Sequence, residues 1–532
     1  MRTLLAVALA LVLAGSAGAA TIQGTKRAER IAGTARVDLI LARGGADRVT
    51  AGAGDDRVAV QYDGARDTVA CGAGRDIVNA DLTDRTAADC EVVSRRLSRD
   101  IYSNADSRHE TQVEPDSFTF GRTTVAVFQT GRRFEGAAAN IAFATSTDDS
   151  ATWRAGELPG ITKLAPRAGT SDRASDPVVS YDAAHGVWLA SSLAVSQPTR
   201  LTINRSPDGL GWSDPIDAAS ATASGGIAYD KQWLACDNGT GSPFRGRCYL
   251  AYSDFVRGGL SVQTSSDGGL TWSQPVSMAP LSVVGAFPAI QPDGTLAIVY
   301  RTGARESEEL AAVRSRDGGA TLEAPVRVSP IDAFAVSGLR LPVLPSVDVD
   351  RTGRIWVAWH DCRLRRACLG NDVVASTSTD GIAWTAPRRV TNGPTAAIPA
   401  IAVDPLSAKL AILYYAVRPT GIDAELVEST NGGATWSKPR RLSAETMQRA
   451  WIPATTQGRM LADYISVSYG AGGPLAVWAL ASEPAGGELR QAIFATRSEP
   501  PTDRWDARSS SARGSSQSPT GSAPRPSRGR RA

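Results

Sequence analysis

Two groups of charged residues stand where a β-rich chain would ordinarily place valine or isoleucine: Asp172, Arg173 and Asp176, and then Arg459, Asp463 and Tyr464. A guanidinium fork binds a carboxylate or a pair of sugar hydroxyls through two parallel hydrogen bonds, and Asp or Glu can serve as acid, base or acceptor. Similar residues recur at Glu114 and Asp116, at Asp230, Lys231 and Trp233, at Arg340, and in a loop group of Asp361, Arg363, Asn371 and Asp372. Arg132, Arg133, Glu135 and Arg301 occupy further loops. Such a set could hold a carboxylated or hydroxyl-rich ligand. A network that only ties sheets together would use the same residue types.

The elements that must position these residues are set by a repeat. Ser-x-Asp-x-Gly-x-Thr-Trp returns six times, most clearly at 265–272 (SSDGGLTW) and 429–436 (STNGGATW). Copies at 146–153 and 315–322 differ at one position each, and those at 206–212 and 378–384 are one residue shorter. A period of roughly 50–60 residues predicts a radial or stacked array. Each copy joins two alternating apolar/polar runs, so it is a hairpin turn in which Gly supplies positive φ and the carboxylate caps backbone amides. That role accounts for the box Asp residues without catalysis.

Four strands per unit predict an all-β protein, a β-propeller with seven blades favoured over six, closed by a strand from about 101–112. The turns then lie on one face. Innermost-strand starts and the loops between second and third strands meet on the other, where the charged residues above converge. The propeller is expected over 101–498.

The first 20 residues carry Arg2, an apolar run and a small-residue end, the pattern of a secretory signal peptide. No Cys follows that would anchor a lipoprotein, and no later run is long enough to span a bilayer. A secreted monomer is expected. The net charge of +3 gives no global reason to bind nucleic acid. Six cysteines in an exported chain predict disulfides, and local pairing as Cys71–Cys90, Cys236–Cys248 and Cys362–Cys368 is the simplest of the roughly 15 connectivities. The three His fall in different units, which disfavours a zinc site. Residues 502–532 are rich in Ser, Arg, Pro and Gly and lack the apolar content to fold.

Within 31–95 an Asp precedes an aliphatic by two residues again and again: Asp38/Ile40, Asp47/Val49, Asp56/Val58, Asp67/Val69 and Asp76/Val78. Gly52-x-Gly54-x-Asp56 and Gly72-x-Gly74-x-Asp76 resemble a degenerate RTX nonapeptide. That resemblance implies a small parallel β-roll, with calcium as its cofactor on carboxylates such as Asp47, Asp56 and Asp76. The alternative is a mini-solenoid whose aspartates are merely solvated. No other cofactor is called for.

The boxes, the export signal and the Arg/Asp-rich centre together resemble the sialidase superfamily of BNR or Asp-box repeat proteins, over roughly 114–498. Asp172-Arg173-Ala174-Ser175-Asp176-Pro177, Asp361-Cys362-Arg363 and Thr456-Gln457-Gly458-Arg459-Met460 also resemble secreted actinobacterial sialidase-like propellers. An exo-sialidase resemblance implies an Arg triad drawn from Arg173, Arg340, Arg363 and Arg459, and a Tyr nucleophile with carboxylate helpers, here Tyr464, Glu114 and Asp176. Asp361 and Asp463 join the binding set. The family's Arg-Ile-Pro string is expected before the first box, yet its nearest match, Leu339-Arg340-Leu341-Pro342, follows the fourth. Box repeats also occur in non-enzymatic propellers. The favoured function is therefore binding of a cell-surface glycan, other carbohydrate or protein partner without turnover; the alternative is an exo-α-sialidase or related glycoside hydrolase.

Overall fold

The computed structural model describes residues 20–224, 226–279, 282–303 and 307–497. The tail expected over 502–532 and all but the last residue of the expected leader lie outside them. Among the described residues the regular structure is almost all strand, with helical turns only at Arg366–Cys368 and Arg449–Trp451. No described helix is long and apolar enough to cross a membrane. All three expected disulfides are present.

The N-terminal segment, described from Ala20, is a parallel solenoid. One sheet stacks Ala20–Gln23, Asp38–Leu41, Arg57–Ala59, Ile77–Ala80 and Val92–Arg96; the other stacks Arg30–Ala32, Arg48–Ala53, Thr68–Ala73 and Arg85–Thr86. The aliphatics two residues after each Asp face inward: Ile40, Val49, Val58, Val69 and Val78 are fully or almost fully buried in one cluster. Turn glycines let successive coils touch, since a Cβ on Gly72 would sit 1.8 Å from the Gly52 carbonyl oxygen.

From Arg108 the chain forms a propeller. Its innermost strands are Arg108–Phe120, Arg173–Asp182, Tyr229–Cys236, Val284–Ile290, Ser346–Val349, Thr395–Val403 and Ser466–Gly470, each packed against the next and the last against the first. Side chains clasp neighbouring inner strands by accepting their backbone amides. Asp116 accepts Val179 N–H (2.8 Å), Asp348 accepts Val403 N–H (2.7 Å), and Ser466 Oγ accepts Ser117 N–H (2.9 Å). The repeated turns fold as expected. Asp317 accepts the Thr321 amide and hydroxyl at 2.9 and 2.6 Å, which hold its carboxyl down at about 2.

Counted as separate sheets, the ring departs from the seven or six blades expected. Five four-stranded sheets stand alone, four of them antiparallel members of the ring and one the second solenoid sheet. The remaining ring strands belong to one sixteen-stranded sheet. The cause is local: Ala138 pairs with Ala174, and Thr111 pairs in parallel with Gln491, so hydrogen bonds cross between neighbouring modules.

Closure also differs from expectation. Segment 101–112 does not complete the last module; its end enters the first innermost strand instead. Strand Val92–Arg96 does the closing, pairing antiparallel with Glu488–Arg497 while still paired in parallel with Ile77–Ala80 of the solenoid. Thr496 Oγ donates to the Val93 carbonyl (2.8 Å), Ser94 Oγ to that of Leu442 (2.5 Å), and Ala444 N–H to Asn79 Oδ1 (3.0 Å). Solenoid and propeller thus share a strand.

Candidate functional site

The site is built by bulges. In the first three innermost strands the pairing register slips at the entry, and the extra residue takes positive φ: Glu114 (53°), Asp176 (48°) and Lys231 (47°). A bulge re-aims one side chain out of the strand's alternation. Left-handed backbone at a non-glycine residue costs about 1–3 kcal/mol, so three charged residues held this way mark a place where packing overrules local preference. The fourth and sixth inner strands carry Gly285 and Ile398 in the same conformation.

These side chains meet at Lys231. Its Nζ lies 2.5 Å from Asp176, 2.8 Å from Asp463 and 3.5 Å from Glu114. All three carboxylates are buried, whereas the lysine side chain keeps 12% of its surface. Arg340 also pairs with Asp463 and is the most exposed member, at 24%. It comes from outside the ring, on a small sheet of Leu339–Arg340, Gly458–Met460 and Ala454–Thr455. Gln129 donates to Glu114 and to Ser175 Oγ (3.0 Å), and Arg132 donates to the Met460 thioether (2.9 Å). Lys231 and Arg340 therefore lie toward solvent, whereas the three acids and Arg132 are more deeply buried.

Burial sets the proton balance. It raises Glu114 above the ordinary carboxylate range, although Lys231 opposes it. Asp230 is raised too, by burial and then by Asp176. Burial would also lift Asp463, but Lys231 and Arg340 outweigh it and hold that carboxyl low. Lys231 loses by burial and gains more from its carboxylates, so its ammonium is held well above the usual lysine range.

Asp463 also lines a cavity of about 300 Å³, together with Asp116, Trp233, Phe287, Tyr464 and Ser466 among others. Trp233 packs on Phe287 and Tyr464, with ring centroids 4.3 and 5.2 Å apart. The Tyr464 hydroxyl donates to the Pro177 carbonyl (2.9 Å), and burial with nearby Glu114 and Asp176 pushes its ionisation far up.

Five of the residues singled out from sequence therefore come together: Glu114, Asp176, Arg340, Asp463 and Tyr464. Four do not. Arg173 donates to the Gly136 carbonyl (3.1 Å), Arg459 to those of Ile452 (2.5 Å) and Ala450 (3.2 Å), and Arg363 is paired with Asp361 (2.7 Å) in the fifth-unit loop. Asp47, Asp56 and Asp76 lie in the solenoid, each accepting a backbone N–H from a neighbouring coil. Spacing puts Lys231 on this face without marking it as the hub, and nothing in the sequence singles out Gln129. A usable signal did exist: Pro115, Pro177, Pro345 and Pro399 recur at strand entries, two of them directly after Glu114 and Asp176.

Titration should register in stability. Burial raises Asp116 to about 7, Asp348 to about 6 and Glu157 to about 8 in the propeller, and Asp67 and Asp84 to about 7 in the solenoid. A raised carboxyl contributes stability that is complete below its unfolded value of about 4 and is lost as pH climbs through the folded value. His360, lowered to about 4 by burial, works in the opposite sense between about 6.5 and 4, but it is one group against several. The denaturant midpoint is expected to be higher at pH 5 than at pH 8. An equal or lower midpoint at pH 5 would show that these carboxyls are solvated.

No family model and no curated protein matches the chain. Among solved structures it is similar to an ulvan lyase of polysaccharide lyase family 25 (12% identity, 75% of this chain and 96% of that one, TM-score 0.46). It is also similar to an α-L-arabinofuranosidase from Fusarium graminearum (16%, 63% and 98%, 0.41) and to an intramolecular trans-sialidase from Ruminococcus gnavus (15%, 60% and 93%, 0.37). At these values the likeness does not extend to an activity.

Proposed function

We propose that the protein is a secreted seven-module propeller that binds an anionic carbohydrate, such as a cell-surface glycan, at the mouth of its ring without turning it over. The observation that carries this is the order of charge: Lys231 and Arg340 retain exposed surface, and Asp176, Asp463 and Glu114 stand buried behind them. An incoming carboxylate or hydroxyl meets the cations first, and the forked guanidinium suits either group. The reading of seven modules rests on the cycle of inner strands rather than on the count of separate sheets, with Val92–Arg96 taken as the outer strand of the last. Three disulfides agree with export. The reading takes the chain as a monomer.

Absence of turnover is favoured by the side chains a sialidase would need. Arg173, Arg363 and Arg459 are engaged elsewhere, and Tyr464 donates its hydroxyl proton to a carbonyl instead of offering an oxyanion. The hydrolase alternative keeps one observation in its favour: Glu114 is pushed toward its protonated form while Asp463 is held ionised, and carboxyls divided in that way suit acid and base roles.

A panel of immobilised glycans tests both. Wild-type protein is expected to retain carboxylated glycans and Arg340→Ala to bind them about 10-fold more weakly, the equivalent of about 1.4 kcal/mol. Unchanged binding by Arg340→Ala would remove the mouth as the site. Release of product from a fluorogenic sialoside, lost in Glu114→Gln, would establish the hydrolase instead.

A further inference from the structure

Two columns of carboxylates climb the N-terminal solenoid. In one, Asp38 N–H donates to Asp56 (2.8 Å), Asp56 N–H to Asp76 (2.7 Å) and Asp76 N–H to Glu91 (2.8 Å). In the other, Glu29 N–H donates to Asp47 (2.7 Å), Asp47 N–H to Asp67 (2.6 Å) and Asp67 N–H to Asp84 (3.0 Å). The corners explain the need. There the Asp56 carbonyl accepts Ile77 N–H (2.9 Å), and the Asp47 carbonyl accepts Thr68 N–H (2.9 Å), as a parallel ladder requires. The amides of the same residues bond to the carboxylates of the next coil. A buried amide without a partner is costly, so the carboxylate closes the ladder where the strand begins.

Calcium asks for a different arrangement, with six to eight oxygens converging on one point. Among the described residues, the only groups of three or more acidic, His or Cys ligand atoms lying within 4.8 Å of one another are Cys71/Asp89/Cys90 and Asp332/Cys362/Cys368. Both depend on sulfurs already joined in disulfides. The glycine turns offer no empty cradle, because a Cβ on Gly52 would lie 2.0 Å from the Thr34 carbonyl oxygen of the adjoining coil. The second oxygens of Asp47, Asp56, Asp67 and Asp76 are buried without partners.

We propose that this aspartate ladder is the solenoid's own coil-to-coil fastening, so that the stack, and with it the strand that closes the propeller, forms without calcium. Each rung ties the entry of one strand to the coil that follows it. The last coil delivers Val92–Arg96 to Glu488–Arg497 in the register the propeller needs.

The test is thermal unfolding of the full chain after exhaustive chelation, with and without millimolar calcium, for wild type, Asp56→Asn and Asp56→Ala. Asparagine keeps a side-chain carbonyl for Asp38 N–H, so its midpoint should stay close to wild type, whereas alanine should lower it by about 2–4 °C. Calcium should move none of the three. A rise with calcium in wild type that vanishes in Asp56→Asn would make the column a metal site and overturn the proposal. Equal losses in Asn and Ala without a calcium effect would also overturn it, since the amide contact would then not be what matters. If Asp56→Ala does not fold, calorimetric titration of the chelated wild type with calcium decides: no binding heat supports the ladder, and saturable binding defeats it.

Discussion

Lys231→Met is expected to destabilise the protein by about 3–5 kcal/mol, the usual penalty for removing one partner of a buried ion group, and to abolish ligand binding. The side chain is held by Asp176, Asp463 and Glu114, none of which keeps more than 2% of its side-chain surface. Without the ammonium their charges face one another in a medium that screens poorly, and Arg340 reaches only Asp463. Methionine fills a similar volume, so lost packing contributes little. The carboxyls can relieve the repulsion only by taking up protons, which gives the effect a signature. The loss should be larger at pH 8 than at pH 5 by equilibrium denaturation. A loss below about 1 kcal/mol with no dependence on pH would mean that water reaches the cluster and screens it.

A chain starting at Leu97, without the solenoid, is expected to fail to form a stable monomeric propeller. The reason is the shared strand. Removing Val92–Arg96 strips Glu488–Arg497 of its outer partner and uncovers Ile493, Phe494 and Ala495, which are now buried. An unpaired apolar edge is a template for association. The seam at Ser94–Leu442 and Asn79–Ala444 and the packing of Tyr62 on Phe494 go with it. Light scattering and circular dichroism of the truncated chain provide the measurement: aggregated or poorly structured protein is expected. A monomer melting within a few degrees of the full chain would reduce the solenoid to an appendage.

The sequence carried those parts of the molecule that depend on neighbours along the chain. Hairpin turns need Gly and a short carboxylate at fixed offsets, so Ser265, Asp267 and Thr271 announced the fold. The aliphatic positions after Asp47 and Asp56 announced the stacked coils, and three cysteine pairs lay close enough in sequence to be matched by proximity. Alternation of side chains placed the charged strand entries on one face.

What the chain order could not decide was which of those charges would meet. Arg340, Arg363 and Arg459 look alike as residues near strand entries, yet only Arg340 reaches the ion cluster, because the segment before the fifth module crosses to pair with Gly458–Met460. Lys231 became the hub through left-handed bulges at Glu114, Asp176 and Lys231 itself, conformations that no local propensity favours and that only the closed ring enforces. The closing strand likewise came from the solenoid instead of segment 101–112, since an edge is satisfied by whichever backbone lies beside it in space. Local hydrogen bonding and burial can be read from spacing; a meeting of charges drawn from Glu114 to Asp463 depends on closure of the whole ring.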